Sequence, residues 1–368
     1  MTYHLALSGC FDLENIKQDI QIGKRPAHVI FDISRLLNAQ IHQPNKDFLL
    51  PIHLVYEKII GCRRYWSLAR ELSSTLRSDD VVYCTDENVG LPIAALCGVR
   101  ENGPKVVVFI HNLNRLRGRL ALKLFEIGKR VDLFITANQE QADFLRDYLD
   151  LPKNRVCLFP YQPTDTSFFT PSFASSHKSR PLIVSGGLEQ RDYRTLARAT
   201  QSLNVDVKIC AVSPTKTVIS QTFPKVIPAN MSYRYYDWNS LVQLYRDADI
   251  VAIALYPNNF QAGLSTLFEA LACGKPVIIT RAPGIIQELI DSKAVWGVNP
   301  GDSEGLKQAI SSLLENPKQG EALAQKGYQL VLERYNCQIY VKALVEQLSG
   351  LQLKLSLNSA PVKALKSK

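Results

Sequence analysis

Residues 261–269 have the types and spacing that could bind a phosphate group. The surrounding stretch, 249–280, is predicted to form strand, loop, helix, turn and strand, with the helix starting near Leu264. A helix start leaves backbone N–H groups unpaired and carries a partial positive charge. Gly263 allows a ligand to approach the backbone closely, and Ser265 and Thr266 add hydroxyl groups. A lone glycine at such a turn more often marks a plain structural turn, but the whole segment predicts an anion site suited to a diphosphate.

Glu269 lies one turn further along the same predicted helix. A carboxylate there can accept two hydrogen bonds from the vicinal hydroxyls of a ribose. The helix is predicted to end at Cys273 and Gly274, because glycine is the common residue just past a helix C-terminus. The segment therefore predicts a site for a nucleoside diphosphate.

Buried strands and amphipathic helices must position this segment. Continuous runs of Val, Ile and Leu are typical of strands buried on both faces of a parallel sheet, and their alternation with helical patterns predicts a doubly wound α/β fold. The predicted strands are 28–32, 80–84, 105–110, 132–136, 155–159, 181–185, 206–212, 249–254 and 276–280. The predicted helices include 137–149, 191–203, 238–247 and 303–315.

The alternation pauses at 160–180, a stretch with three prolines and many Ser and Thr residues that predicts a linker. A chain of 368 residues fits two domains of ordinary size. We therefore predict an N-terminal domain at 1–165, a C-terminal domain at 166–345, and a basic tail at 346–368 that is loosely ordered from residue 351.

The net charge of +9 favours anionic partners. No apolar run reaches the length of a membrane span, and the first residues lack the pattern of a signal peptide. The eight cysteines have no metal-binding or redox spacing, which favours buried free thiols in a reducing cytoplasm.

The pattern at 249–280 resembles the C-terminal signature of family 4 glycosyltransferases, which have the GT-B fold. That signature is a Glu, seven residues, a second Glu, and then Ala-Met-Ala-x-Gly-Lys-Pro-Val. Here the second Glu is Glu269, and ALACGKPV follows at 270–277. The first Glu is replaced by Gln261, which can bind sugar hydroxyls but cannot act as an ionised carboxylate. The resemblance implies two Rossmann-like doubly wound domains with an interdomain cleft.

Other matches to the family extend the expected site. The resemblance implies that Arg191 clamps the donor diphosphate, although an arginine at a helix start is otherwise more often solvated. Gly186 and the next glycine replace an upstream arginine of the family, and Leu264 belongs to the donor loop. His111 follows the strand-like run KVVVFI and corresponds to a family histidine that lines the sugar and acceptor pocket. A structural role for this histidine is about equally expected.

The resemblance implies a retaining enzyme that moves a sugar from a nucleoside diphosphate to an acceptor hydroxyl, with His111 and Gln261 at the reacting centre. The family usually works without a divalent cation, and no Asp-x-Asp motif is present, so neither a metal nor another cofactor is expected. Two alternatives remain open: a catalytically impaired protein that binds nucleotide sugar, motivated by Gln261, and a GT-B nucleotide-sugar epimerase.

The segment 112–130 combines basic and apolar residues at helical spacing, including Arg115, Arg117 and Arg119. Such a helix can lie on an anionic membrane surface, which would suit a lipid-linked acceptor or a polysaccharide precursor. A core helix with a solvated basic face is an equal alternative. Glu87 could bind acceptor hydroxyls, but helix capping is the expected role. We expect no nucleic-acid partner and a cytoplasmic protein, peripheral at the inner face of a membrane.

Overall fold

The structure is a computed structural model that describes residues 2–44, 50–98, 103–175, 178–211, 222–258 and 262–359, apart from the side chains of 53 and 352–359. The first half contains six strands and eight α-helices within these ranges. The strands are β1 (Tyr3–Ala6), β2 (Gln40–His42), β3 (Val81–Cys84), β4 (Lys105–Phe109), β5 (Leu133–Thr136) and β6 (Val156–Leu158). The helices are α1 (Leu13–Gln21), α2 (Val29–Leu37), α3 (Pro51–Tyr56), α4 (Arg63–Thr75), α5 (Glu87–Cys97), α6 (Leu116–Leu124), α7 (Ile127–Arg130) and α8 (Gln139–Leu149).

The second half repeats this organisation. Its strands are β7 (Leu182–Gly186), β8 (Asp206–Cys210), β9 (Met231–Arg234), β10 (Ile250–Ile253), β11 (Val277–Thr280) and β12 (Trp296–Val298). Its helices are α9 (Tyr193–Thr200), α10 (Trp238–Asp247), α11 (Leu264–Ala272), α12 (Ile285–Asp291), α13 (Ser303–Glu315), α14 (Pro317–Arg334) and α15 (Cys337–Ser359).

Each half is built on one parallel sheet. The strand order is β2-β1-β3-β4-β5-β6 in the first and β12-β11-β10-β7-β8-β9 in the second. In the first sheet Val82 pairs with Val106, and in the second Val251 pairs with Val184. Apolar clusters lie on both faces of both sheets, which explains why the strands are continuous apolar runs. The predicted doubly wound α/β fold is confirmed.

One predicted strand, 28–32, is wrong, because this segment begins α2. The His28 Nδ1 accepts a hydrogen bond from the Ile30 N–H and caps the helix. Ile30, Ile33 and Leu37 then lie on one buried face at helical spacing. The short run of strand-favouring residues at 28–32 is the reason for the wrong prediction. Four strands were not predicted: β1, β2, β9 and β12.

The last helix, α15, packs on the first half of the chain. Tyr340, Val341, Leu344 and Leu348 are buried in the same apolar cluster as Leu5 of β1. The helix continues to Ser359, whereas the sequence predicted loose order from residue 351; residues 360–368 lie outside the described part. The domain boundaries themselves stay a prediction.

No described helix combines the length and the apolar character needed to cross a bilayer. All eight cysteines are free thiols, as predicted, but only Cys84, Cys97 and Cys273 are buried; Cys10 is exposed, and the other four are partly exposed.

Candidate active site

The switch point of the second sheet forms the floor of the site. Strand β7 lies between β8 and β10, so the chain leaves β7 toward one side of the sheet and leaves β10 toward the other. Ligands of open α/β sheets bind where such loops diverge at the carboxyl ends of the strands. Two backbone hydrogen bonds join the loops here, from Asp192 N to Ala254 O and from Tyr256 N to Gln190 O, each 2.9 Å long. Both loops are therefore held in place at the position where a ligand would bind.

Helix α11 starts at Leu264, where the sequence predicted it. Gly263 is the N-cap residue with φ of +93°, a left-handed value that favours glycine. No side chain caps the helix, so its first N–H groups have no side-chain acceptor. Ser265 is exposed, whereas Thr266 is buried and its hydroxyl donates to Gly186 O at 3.3 Å. Of the two hydroxyl groups, that of Ser265 is the accessible one.

Arg191 is buried beside this helix start. Its Nε donates to Gly186 O at 2.6 Å, its Nη1 to Glu189 O at 2.8 Å and its Nη2 to Thr266 Oγ1 at 3.2 Å. Three of the five guanidinium N–H groups are thus used. Burial lowers the pKa of Arg191 from its usual value. The solvated arginine considered from the sequence is not what the structure shows, because the guanidinium is fixed against the sheet.

Gly187 makes room for Arg191. Its φ is +94°, and a Cβ at this position would collide with the Arg191 guanidinium. The pair Gly186–Gly187, noted in the sequence for replacing a cation, therefore has a packing role. This packing role is visible only in the folded structure, because it depends on the Arg191 side chain lying against the backbone of Gly187.

Glu269 faces the same region from α11. Its Oε2 accepts a hydrogen bond of 2.9 Å from the Tyr245 hydroxyl of α10. Burial raises the pKa of Glu269 to about 7, against the opposing effects of the Tyr245 hydrogen bond and the charge of Arg191. Near neutral pH this carboxyl is therefore present in both its neutral and its ionised form.

A cavity of about 500 Å³ adjoins these groups. Its other walls are aromatic, apolar or backbone and include residues that the sequence analysis did not select. The lining residues are Gly186, Gly187, Leu188, Glu189, Cys210, Ala211, Tyr235, Tyr236, Trp238, Leu241, Tyr245, Ser265, Thr266 and Glu269. Apolar walls with a few polar groups at one end are typical of a site for a small ligand with a flat ring.

The sequence analysis missed Tyr245 as a site residue. It lies in α10, which was predicted correctly at 238–247, but nothing in the local pattern indicates that its hydroxyl meets Glu269, 24 residues further on. Gln261 lies outside the described residues.

The first half supplies Glu87 and His111 at the ends of β3 and β4. Asp86 caps α5 by accepting from the N–H groups of Asn88 and Val89, so the capping role expected of Glu87 belongs to its neighbour. The Glu87 carboxylate accepts from the His111 N–H at 2.9 Å and from the Asn112 N–H at 3.2 Å. His111 is exposed, with its ring 4.8 Å from that of Phe109. Glu87 thus fixes the turn that carries His111.

Helix α6 has an exposed apolar face. Leu116, Leu120 and Leu124 are 88%, 54% and 55% exposed and recur every four residues, while Leu122 is buried. The basic side chains differ in their surroundings. The Arg119 guanidinium binds Asn114 Oδ1 at 2.6 Å and lies over the rings of α8, whereas Arg117 is exposed. The helix therefore presents exposed leucines next to cations. Arg115 is exposed as well.

Comparison with protein families gives one match. Residues 230–330 match the model for group 1 glycosyl transferases. This region runs from β9 through α11 to α14, so it includes the start of α11 and Glu269.

Relatives of known function match parts of the chain. One is an N-acetylgalactosaminyltransferase of Campylobacter jejuni that acts on N,N'-diacetylbacillosaminyl-diphospho-undecaprenol, with 20% identity over 54% of the chain and 56% of the relative. Another is a GDP-mannose-dependent phosphatidylinositol monomannoside mannosyltransferase of Mycolicibacterium smegmatis, with 30% identity over 24% of the chain and 23% of the relative. The chain thus spans about half, or less, of the length of the curated relatives it matches.

Solved structures match nearly the whole chain in fold. Sucrose-phosphate synthase from Thermosynechococcus elongatus superposes with a TM-score of 0.69 at 14% identity, covering 98% of this chain and all of that one. The Anabaena protein HepE in complex with UDP-glucose superposes with a TM-score of 0.66 at 14% identity, covering 95% of this chain and all of that one. At such identities the likeness establishes the fold alone.

These findings agree with the pattern read from the sequence. The group 1 match at residues 230–330 supports the resemblance to family 4 glycosyltransferases, and the two parallel sheets have the GT-B fold of these solved structures.

Proposed function

We propose that the chain is a retaining glycosyltransferase that moves a hexose from a nucleoside diphosphate sugar to an acceptor hydroxyl. One observation carries this proposal: Arg191, Glu269 and the uncapped start of α11 meet at the switch point of the second sheet, beside a cavity of about 500 Å³. Support comes from the group 1 match over this region and from relatives whose names state sugar transfer.

In the proposed complex the ribose binds Glu269 and the base enters the aromatic cavity. The diphosphate binds the N–H groups of 263–266 and the remaining N–H groups of Arg191. The acceptor approaches from the first half, where His111 is exposed at the end of β4. Gln261 would bind hydroxyls of the donor sugar, as the family pattern implies.

In the reaction, the bond between the anomeric carbon and the diphosphate oxygen breaks, and its electron pair leaves with the nucleoside diphosphate. A bond from the same carbon to the acceptor oxygen forms on the same face, and the hydroxyl proton passes to a diphosphate oxygen. The helix N-terminus and the guanidinium stabilise the charge that develops on the leaving group. The proposal uses no divalent cation, so EDTA should leave the activity unchanged.

The test begins with thermal shift measurements on UDP-glucose, GDP-mannose and other nucleotide sugars. A ligand at 100 times its Kd stabilises the folded state by about 2.7 kcal/mol. Glu269→Ala should abolish the shift, whereas Glu315→Ala, an exposed glutamate at the end of α13, should keep it. Product analysis with acceptors then follows. Nucleoside diphosphate released only with an acceptor supports transfer, an epimerised donor indicates the epimerase, and binding without turnover indicates an impaired protein.

We propose further that the acceptor is lipid-linked and that α6 docks on an anionic membrane. The exposed leucines of α6 and its adjacent cations favour this over the core-helix alternative. Arg117→Gln should weaken binding to phosphatidylcholine vesicles containing phosphatidylserine by about fivefold, since one cation near such a surface contributes about 1 kcal/mol.

The double change Leu116→Ser with Leu120→Ser should weaken the same binding further. Leu36→Ser, which alters a leucine of α2 that is 54% exposed, is the matched control and should bind as the wild type does. Equal sedimentation of wild type and α6 variants with these vesicles would contradict the docking proposal.

A further inference from the structure

Arg25 lines a small cavity between the two halves of the chain and has a buried guanidinium nitrogen without a hydrogen-bond partner. It lies in the loop between α1 and α2. Its Nε is sealed from solvent without a hydrogen-bond partner, and no ion pair between described residues involves it. Buried polar atoms of native proteins are nearly always hydrogen-bonded, so each exception needs an explanation. The Arg25 Nε is one of seven such side-chain atoms among the described residues, and it belongs to a residue that lines a cavity.

The cavity that Arg25 lines joins the site described above. It has a volume of about 190 Å³, and its walls include Arg25 and His28 of the first half and Trp238, Ser265 and Glu269 of the second. Ser265 is the second residue of α11. Trp238, Ser265 and Glu269 also line the larger cavity. A ligand held by Ser265 and Glu269 is therefore within the same small space as the Arg25 side chain.

The loop that carries Arg25 is fixed in position. The Ala27 N–H donates to Oδ2 of Asp165, a residue of the predicted linker, at 2.7 Å. His28 accepts from the Ile30 N–H through Nδ1, so its ring is neutral with the proton on Nε2. Neither contact uses the guanidinium of Arg25, a residue that lines the cavity on a loop that these two hydrogen bonds hold in place.

The charge of a diphosphate is not balanced by the second half alone. Arg191 has committed three of its donors to protein oxygen atoms, and among the described residues no cationic side chain of the second half lines either cavity. Removing a phosphate from water without charged partners is strongly unfavourable. An arginine suits this role, because its planar fork binds phosphate oxygens in pairs.

We propose that Arg25 binds the diphosphate of the donor from the first half of the chain, opposite the start of α11. This inference rests on the proposed function and adds the residue through which both halves hold the same phosphate. Donor binding then depends on how closely the two halves approach each other.

Isothermal titration of UDP, GDP and the parent nucleosides tests the inference. Arg25→Gln should weaken the binding of the diphosphate that the wild type prefers by about 10- to 100-fold, the effect of losing a charged hydrogen bond. Binding of the nucleoside, which lacks phosphate, should stay the same. Lys24→Gln is the matched control: it removes the same charge from the adjacent, exposed position and should change the Kd by less than about twofold.

Unchanged melting temperature verifies that the variants fold, and Arg25→Lys should recover part of the lost affinity by restoring the charge. If wild type and Arg25→Gln bind the diphosphate equally, Arg25 has no such role and the proposed function still stands. If the wild type binds neither UDP nor GDP nor any nucleotide sugar of the thermal shift series, the proposed function fails and this inference fails with it.

Discussion

Ionisation of Glu269 should make donor binding depend on pH. Burial raises the pKa of this carboxyl to about 7 in the empty site. Ribose hydroxyls donate hydrogen bonds, and such donors bind a carboxylate more strongly than a carboxylic acid. Donor binding should therefore strengthen as the pH rises and should lower the pKa of Glu269 in the complex.

The size of the effect follows from the ionised fraction. With a pKa of about 7, Glu269 is about one-tenth ionised at pH 6 and about nine-tenths ionised at pH 8. If only the ionised form binds the ribose well, the association constant rises roughly tenfold over this range, or about 1.4 kcal/mol. At pH 7 binding should release about half a proton.

Isothermal titration with UDP-glucose or GDP-mannose, in buffers of different ionisation enthalpy, measures both quantities. A nucleotide sugar is the better probe, because a terminal phosphate titrates near pH 6 and would add its own dependence. In Glu269→Gln the affinity should be lower and independent of pH, whereas Glu315→Gln should behave as the wild type. A wild-type affinity that stays constant from pH 6 to 8, with no proton release, would refute this reasoning.

Three further predictions concern the supporting structure. Gly187→Ala should displace the Arg191 guanidinium and lower the free energy of unfolding by about 1–3 kcal/mol, with weaker UDP binding; intact UDP affinity in a stable variant would contradict the packing role. His42, whose pKa burial and a second histidine lower to about 4, should make the fold acid-sensitive. Since the unfolded chain binds this proton near pH 6.5, stability should fall by about 2–3 kcal/mol from pH 7 to pH 4 in urea titrations, and less in His42→Gln. Asp165→Ala removes the acceptor of the Ala27 N–H, so it should lower the free energy of unfolding by about 1–3 kcal/mol and also weaken donor binding. A loss of stability with unchanged donor affinity would show that this loop does not contribute to the site.

The start of α11 could be predicted because its signals are local. A helix from Leu264 and an end at Cys273 follow from glycine positions and apolar spacing within a dozen residues. The buried strands of both sheets were predictable for the same reason, because a run such as VVVF at β4 has one stable environment in a soluble protein.

Contacts between distant segments could not be predicted. The hydrogen bond from Tyr245 to Glu269 and the place of Arg25 beside Ser265 depend on how separate elements pack, not on local pattern. The segment 28–32 was misassigned because a helix cap made by a histidine ring is an uncommon signal and its apolar run also fits a strand. Short edge strands such as β2 carry too few residues for a pattern to emerge.

The packing of α15 on the first sheet means that the chain passes between the two halves twice. The two passages touch, since the Cys337 N–H donates to Thr164 O at 3.0 Å. Two adjacent connections allow one half to rotate as a hinge against the other. They resist sliding of the halves past each other and twisting of one half relative to the other. Deleting α15 would remove one connection and uncover the apolar face around Leu5, so such a truncation should loosen the hinge and promote aggregation as well.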